Sequence, residues 1–466
     1  MRRLAVTFIV GTLCLTAAAA QPGRKLAIVG GMLLDGYEAP PVHNAVVLVE
    51  GNRIVAKGQG GEIPVPPDAT VIDASGKTIL PGLIDLHVHL MILGHGDYGR
   101  WFPWIVQNGV ERVMAISAKQ LLMAGVTSAV DLAAPLKESV SIRTRINKGE
   151  IPGPRMWMSG PWITTRLGNY PPELQFQVKI DTPAQAAEAV DRLARDGADV
   201  IKAYPGTYEV YKAIADAAHR HDLRVHAHVY SVQNVRDALR AGIDVLTHVG
   251  AASRPPYPAD LLHEIVDSGR PVVPTAGLWY AIYPATINFP GRLRDPKLKA
   301  DFPPDIYEEV QDSFKNYRAL GYFQNMPRVM DLGPRLVKQW VESGAVIGMG
   351  TDSGTPMNFH TEALWRELKL FVDHGMSPMR AITAATRINA RILGRSRDLG
   401  TIEPGKLADI IVVKGDPLFD IIALADPEVV IKDGVIYKGG PAQAKPRVSS
   451  PAGAARDQAR SHAARR

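Results

Sequence analysis

Hydrophobic and polar positions alternate in two different rhythms along the chain. From Lys25 to about Ile79, short β-type runs (Leu26–Val29, Ala45–Val49, Arg53–Lys57, Thr70–Asp73) are separated by turn residues. The same rhythm returns near the C-terminus in Asp409–Lys414, Val429–Lys432 and Val435–Lys438. Glu50-Gly51-Asn52 and Asp433-Gly434 supply hairpin chemistry between neighbouring runs. Two β-rich segments this far apart predict one small β-sandwich domain, residues 21–80 plus 395–440, built from both ends of the chain.

The intervening stretch reads differently. Apolar strand-like runs recur at Thr78–Leu90, Gly125–Leu132, Arg155–Ser159, Ala198–Tyr204, Arg224–Val229, Asp244–Val249, Pro271–Thr275 and Ala345–Thr351. Helical periodicity fills many of the gaps, as in Pro183–Arg195, Glu209–His221 and Val232–Ala241, with Asp181 or Thr182 capping the first of them. Eight strands with crossover helices predict an α/β fold, a (β/α)8 TIM barrel over residues 81–394. An open doubly wound sheet is the competing pattern, but no G-x-G-x-x-G follows an early strand. Between the seventh and eighth runs lies Ala276–Gly344, rich in Trp279, Tyr280, Tyr283, Phe289, Phe302, Tyr307, Tyr317, Tyr322 and Phe323. A connection this long is predicted to be a substrate lid over the barrel mouth, the alternative being a helical excursion packed on the barrel wall.

The ends change the picture of where the protein works. Arg2 and Arg3, the apolar run Leu4–Leu15 and the small residues Ala17–Ala20 form a signal-peptide pattern over residues 1–20, with a cut at Ala20–Gln21. The chain is therefore expected to be exported, periplasmic or secreted. The run is short for a membrane span, and Leu13 before Cys14 argues against a lipid anchor, so no stable membrane anchor is expected. Cys14 is the only cysteine, so the processed chain has no disulfide, thiol nucleophile or thiolate ligand. Net charge is +6, of which Arg2 and Arg3 carry two and the tail from Gly440 onward a net five, leaving −1 for the rest. No basic stripe remains to bind nucleic acid. The Ala/Arg/Pro/Ser tail, 441–466, reads as disordered.

Candidate chemistry concentrates at the ends of the barrel runs. In Asp85-Leu86-His87-Val88-His89, alternate side chains share a face, so His87 and His89 point together. Converging imidazoles at a barrel strand's C-terminal end suit a catalytic metal. Lys202 ends the fourth run, His226 and His228 the fifth, His248 the sixth and Asp352 the eighth. Chance placement of so many polar groups at one rim is improbable. His43, His95, His219, His221, His263, His374 and His462 fall on loops or helices and read as solvated. Gly58-Gln59-Gly60-Gly61 precedes no helix and reads as a turn, and Asp131 reads as a structural cap.

This constellation resembles the amidohydrolase superfamily, and within it the imidazolonepropionase-like enzymes that include Xaa-Pro dipeptidase-type members. Lys77-Thr78-Ile79-Leu80-Pro81-Gly82-Leu83-Ile84-Asp85 is similar to that family's approach to its H-x-H strand. Gly400-Thr401-Ile402-Glu403-Pro404-Gly405-Lys406-Leu407-Ala408-Asp409 is similar to its return to the β domain. The resemblance implies two divalent metal ions, Zn²⁺ by default, with Co²⁺, Mn²⁺ and Ni²⁺ also suited to such donors. His87 and His89 would hold the more buried ion with Asp352. Lys202, carbamylated by CO₂, would bridge to a second ion held by His228 and His248. His226 then sits one step deeper, as a core or supporting residue. Two metals lower the pKa of a bridging water, so hydroxide exists near neutral pH. Asp352 would orient that hydroxide, take its proton and pass it to the leaving group. Tyr230, next on the inward face, serves as oxyanion donor or pocket lining, and His360 lines the pocket or lies on the surface.

The function implied is binuclear metal-dependent hydrolysis of amide or peptide bonds in small substrates, of the dipeptide or N-acyl amino acid type. Deaminases that resemble this pattern typically use one metal, lack the bridging lysine and place Glu three residues after the fifth-strand His, where this chain has Ser231. A lactonase, esterase or phosphotriesterase would share the binuclear centre. A non-catalytic relative would have lost ligands, and none is lost here. Arg166, after the third run, is a solvated loop residue or a reader of substrate carboxylate. The expected partner is a small-molecule substrate, with no nucleic acid, and homo-oligomerisation is left open.

Overall fold

The computed structural model describes residues 23–249, 255–324 and 326–440; the expected signal peptide and the tail 441–466 lie outside the described residues. Five strands open the chain: β1 (Lys25–Leu33), β2 (Val42–Glu50), β3 (Arg53–Gln59), β4 (Thr70–Asp73) and β5 (Lys77–Pro81). Then come β6 (Leu83–Val88), β7 (Val126–Asp131), β8 (Arg155–Met158), β9 (Trp162–Thr164), β10 (Gln177–Lys179), β11 (Val200–Ala203), β12 (Arg224–His228), β13 (Val245–Thr247) and β14 (Val272–Val273). Three more, β15 (Ile410–Lys414), β16 (Val429–Lys432) and β17 (Val435–Lys438), close the order.

Strands from both ends join one eight-stranded sheet, in the order β17-β16-β15-β5-β1-β2-β3 with β4 also paired to β1. Its apolar side chains, among them Ile28, Val47, Ile79, Ile410 and Val412, form a cluster of their own. The middle strands pair in parallel in two runs, β6-β7-β8 and β10-β9-β11-β12-β13-β14. Between the runs, Asp199 N–H donates to the Met158 carbonyl at 2.8 Å. These short strands are buried on both faces, and the polar residues among them, such as Asp85, His87 and Lys202, are buried too.

Helices alternate with the parallel strands: α1 (Tyr98–Asn108), α2 (Val110–Met123), α3 (Leu136–Asn147), α4 (Pro183–Arg195), α5 (Tyr208–Arg220), α6 (Val232–Ala241) and α7 (Ala259–Ser268). Local chemistry sets several ends. Thr182 caps α4 by accepting from Gln185 N–H, with Pro183 in the first turn. Ser231 caps α6, which stops at Gly242 with φ of 86°. No helix among the described residues is long and apolar enough to cross a membrane.

Four details differ from the sequence pattern. The strand expected over Thr78–Leu90 is two strands in different sheets, β5 and β6. Gly82 makes the transfer possible: a Cβ there would lie 2.2 Å from Thr127 Oγ1, and its N–H donates to the Asp409 carbonyl. The β9/β10 pair was not anticipated, its three-residue strands being too brief to carry periodicity. The eighth run, Ala345–Thr351, forms a single isolated bridge, Ile347 to Val272. Its backbone nevertheless bonds on both sides, with Val346 and Gly348 to Val272, and Met349 and Thr351 to Leu86 and His87. Gly350 accounts for the close fit, since a Cβ would meet Val273 Cγ1 at 2.6 Å and His87 Cβ at 3.0 Å. Finally, the described part of Ala276–Gly344 is a succession of helices rather than an open connection. Tyr283, Phe302, Phe314, Tyr317 and Phe323 are buried in the core, so these aromatic rings serve packing.

Candidate metal centre

Strand β6 delivers His87 and His89, both buried, to the end of the parallel sheet. Asp85, wholly buried on the same strand, fixes this end in place. Its carboxylate accepts from His87 N–H at 3.0 Å, Thr351 N–H at 3.1 Å and Thr351 Oγ1 at 2.7 Å. Burial pushes the Asp85 carboxyl up to about 7, against the pull of those hydrogen bonds. The segment carrying Asp352 is thereby tied to the H-x-H strand, and Asn358 Nδ2 also holds the Asp352 carbonyl at 3.0 Å.

Three non-glycine residues at neighbouring strand ends adopt left-handed backbone: His248 at φ 64°, Thr275 at φ 50° and Asp352 at φ 56°. Such conformations cost roughly 1–3 kcal/mol each and concentrate where geometry matters more than stability. Here the His248 and Asp352 side chains line one cavity of about 240 Å³, and the Thr275 hydroxyl lies against His248 Nδ1. Its lining includes His87, His89, Lys202, His228, Tyr230, His248 and Asp352, so the predicted residues are all brought together.

Asp352 Oδ1 lies 2.9 Å from His89 Nε2 and 3.5 Å from His87 Nε2. One donor atom from each of the three falls within 4.8 Å of the others. The His248 ring is 4.5 Å from His87 and 4.1 Å from His228, centroid to centroid. Lys202 Nζ donates to Thr247 Oγ1 at 3.1 Å. His248 Nδ1 sits 2.8 Å from Thr275 Oγ1, which leaves Nε2 as its ligating atom.

This donor set fits a divalent cation on two observations. Both ring nitrogens of His87 are buried without a hydrogen-bond partner, a costly arrangement that a coordinated ion removes. Burial, reinforced by the Lys202 charge, also drives His87 and His228 well below their ordinary pKa, and burial with the His228 charge does so for His248. Neutral imidazole is the form that binds metal.

Other candidates fall elsewhere. His226 is buried behind Lys202, paired with it in the β11/β12 register, and does not line the cavity. His360 is neither surface nor lining: it is buried, bonded to Ser353 Oγ at 2.8 Å and the Ile92 carbonyl at 3.0 Å. His95, expected in solvent, is fully buried, stacked on Trp101 and 3.2 Å from Glu309. Its burial has a long-range cause, since Glu309 lies 214 positions away in sequence. Asp131 accepts from Leu90 N–H and so anchors the loop after β6. Arg166 is exposed beside a neighbouring groove that shares Trp162, Tyr170 and Tyr204 with the cavity. Of the described Ala276–Gly344 residues, Leu278 and Trp279 reach the cavity. Tyr204 also lines the cavity; it follows Lys202 by two positions, the spacing that puts side chains on one face of a strand.

Known proteins are similar to this chain over most of its length. Residues 78–272 and 333–439 match the amidohydrolase family model. The chain is 24% identical over 421 residues to 8-oxoguanine deaminase of Pseudomonas aeruginosa, covering 80% of this chain and 82% of that protein. It is 25% identical over 477 aligned positions to ochratoxinase of Aspergillus niger, covering 91% and 89%. Among solved structures, a Xaa-Pro dipeptidase with methionine bound in its active site superposes with a TM-score of 0.70 at 26% identity, covering 89% of this chain and 100% of that one.

Proposed function

The chain belongs to the amidohydrolase family, metal-dependent enzymes that hydrolyse carbon–nitrogen bonds, and from that premise we propose that it is a binuclear hydrolase of amide or peptide bonds in small substrates. Dipeptides and N-acyl amino acids are the leading class. The observation that carries the proposal is the gathering of His87, His89, Lys202, His228, His248 and Asp352 around one cavity. His87, His89 and Asp352 would hold one cation; His228 and His248 would hold the other, with a carbamate on Lys202 between them. Two such cations, Zn²⁺ in the first instance, supply an activated water and polarise the scissile carbonyl.

The chain's own groups supply the rest. Burial lowers the Lys202 ammonium to about 7, so a sizeable fraction is the neutral amine that can add to CO₂. Asp352 Oδ1 faces His87 and His89, where it would accept a proton from the attacking water and return it to the leaving nitrogen. Tyr230, edge-on to His228 at 4.6 Å, would donate a hydrogen bond from its phenol to the developing oxyanion. Ser231 occupies the position of a deaminase glutamate, and its hydroxyl is engaged in capping α6, which argues against deamination despite the deaminase relative. The parallel strands, joined through Ala345–Ser353, support a (β/α)8 barrel around this site, and the end sheet supports a small β domain beside it.

The test is hydrolysis of a mixed panel by protein purified with Zn²⁺ and bicarbonate. The panel contains N-acyl amino acids, Xaa-Pro and other dipeptides, lactones and aryl esters, with amine, acid and ammonia quantified. Amine release that disappears in Asp352→Asn is the expected result. Ester or lactone turnover alone, or ammonia release, would replace this proposal with the corresponding activity.

A further inference from the structure

One wall of the cavity is a layer of rings that bond hydrolysis does not itself require. Tyr98, Trp162, Tyr170 and Tyr204 line it half-buried, joined by Phe102 and Phe176, which are almost wholly buried. The rings touch one another: Trp162 meets Phe176 edge-on at 5.0 Å, and Phe102 meets Tyr170 edge-on at 5.1 Å. Tyr204 stacks on Trp162 at 4.6 Å and 29°, and on His228 at 4.5 Å and 22°. The layer therefore runs without a break up to a side chain of the metal centre. Among the described lining residues, Lys202 and Asp352 are the charged ones apart from histidine, and both belong to that centre. The wall itself offers ring faces and edges, with phenol and indole groups as its polar atoms.

Size narrows the occupant further. A dry cavity of about 150 Å³ holds benzene, so about 240 Å³ accommodates one ring and the amide bond attached to it. Rings surrounded by rings gain edge-to-face and offset-stacked contacts worth roughly two- to twelvefold in binding over a saturated group of similar size. We infer that the cavity selects small amides whose acyl or amine group next to the scissile bond is a planar aromatic ring, and that Trp162 and Tyr204 impose the choice. The inference rests on the amide-hydrolase reading above.

Matched ring pairs test it. N-benzoylalanine is compared with N-cyclohexanecarbonylalanine, and acetanilide with N-cyclohexylacetamide, as kcat/KM. Because conjugation alters amide reactivity, dissociation constants of benzamide and cyclohexanecarboxamide are also measured by calorimetry, without added metal. The expected result is benzamide binding at least about threefold tighter. Trp162→Ala and Tyr204→Ala should bring that ratio close to one, and Tyr204→Phe should preserve it. Circular dichroism and melting curves verify that each variant folds. Equal or tighter binding of the saturated ring, or no binding of either at millimolar concentration, would overturn the inference. Ring preference in binding with no amide cleaved by metal-loaded protein would uphold it and overturn the amide reading instead.

Discussion

The hydroxyl of Thr275 is the smallest group on which the centre depends. It sits on His248 Nδ1, so it fixes which nitrogen of that ring faces the cavity. Thr275→Val is an unusually clean test, because both side chains are β-branched and the left-handed backbone at φ 50° is strained equally in each. Loss of the oriented partner should weaken metal affinity by about 10–100-fold, read by chelator competition. Glu367 gives a second test. Its buried carboxylate accepts from Ala276 and Gly277 N–H, holding the start of the turn that carries Trp279. Burial raises its pKa from 4.5 to about 8. Between those values the folded chain keeps a proton that the unfolded chain has released. This contribution to stability is complete below pH 4.5 and is lost as pH rises through about 8. Urea midpoints across that window should fall more steeply for the native chain than for Glu367→Gln. At this scale the sequence was legible where a polar residue interrupts an apolar strand run, as at His87, Lys202 and Asp352. It was silent where burial depends on a distant partner, as for His95 with Glu309, or His360 with Ile92.

Between residues and the fold stand the elements, and the weakest of them bears the proposed proton carrier. Ala345–Thr351 lacks the side-chain alternation of a full strand because Gly348 and Gly350 yield to neighbours that leave no room for a Cβ. Asn389 compensates: its Nδ2 donates to the Ile84 and Met349 carbonyls at 2.7 and 2.8 Å, and its Oδ1 accepts from Met349 N–H at 3.0 Å. Asn389→Ala should cost about 1–3 kcal/mol for each buried backbone group left unpaired. The urea midpoint and the metal retained after dialysis should fall together. A loss of stability with full metal retention would show that Asn389 merely packs. Elements with long periodic stretches, such as α4 to α6, were readable to within a residue or so. Those held by a side-chain clamp or by three-residue pairings were not, since neither leaves a repeating pattern.

On the scale of the whole molecule, Arg155 links the parallel strands to the end sheet. From β8 its guanidinium reaches Asp409 at 2.7 Å and also Asp433, on opposite sides of β15 and β16 in the chain. Those carboxylates hold the guanidinium above its ordinary range despite burial. Arg155→Met should cost about 3–5 kcal/mol, because it strands the buried Asp409 charge; calorimetric melting measures it. The end sheet also imposes an order of events. Thr78 of β5 bonds to Gly415, 337 positions later, so some tens of seconds of synthesis separate the two edges that must meet. Until β15 emerges, β5 presents an unpaired row of backbone donors and acceptors. A chain halted just before that point already holds every candidate ligand, yet offers an open edge to whichever strand arrives first.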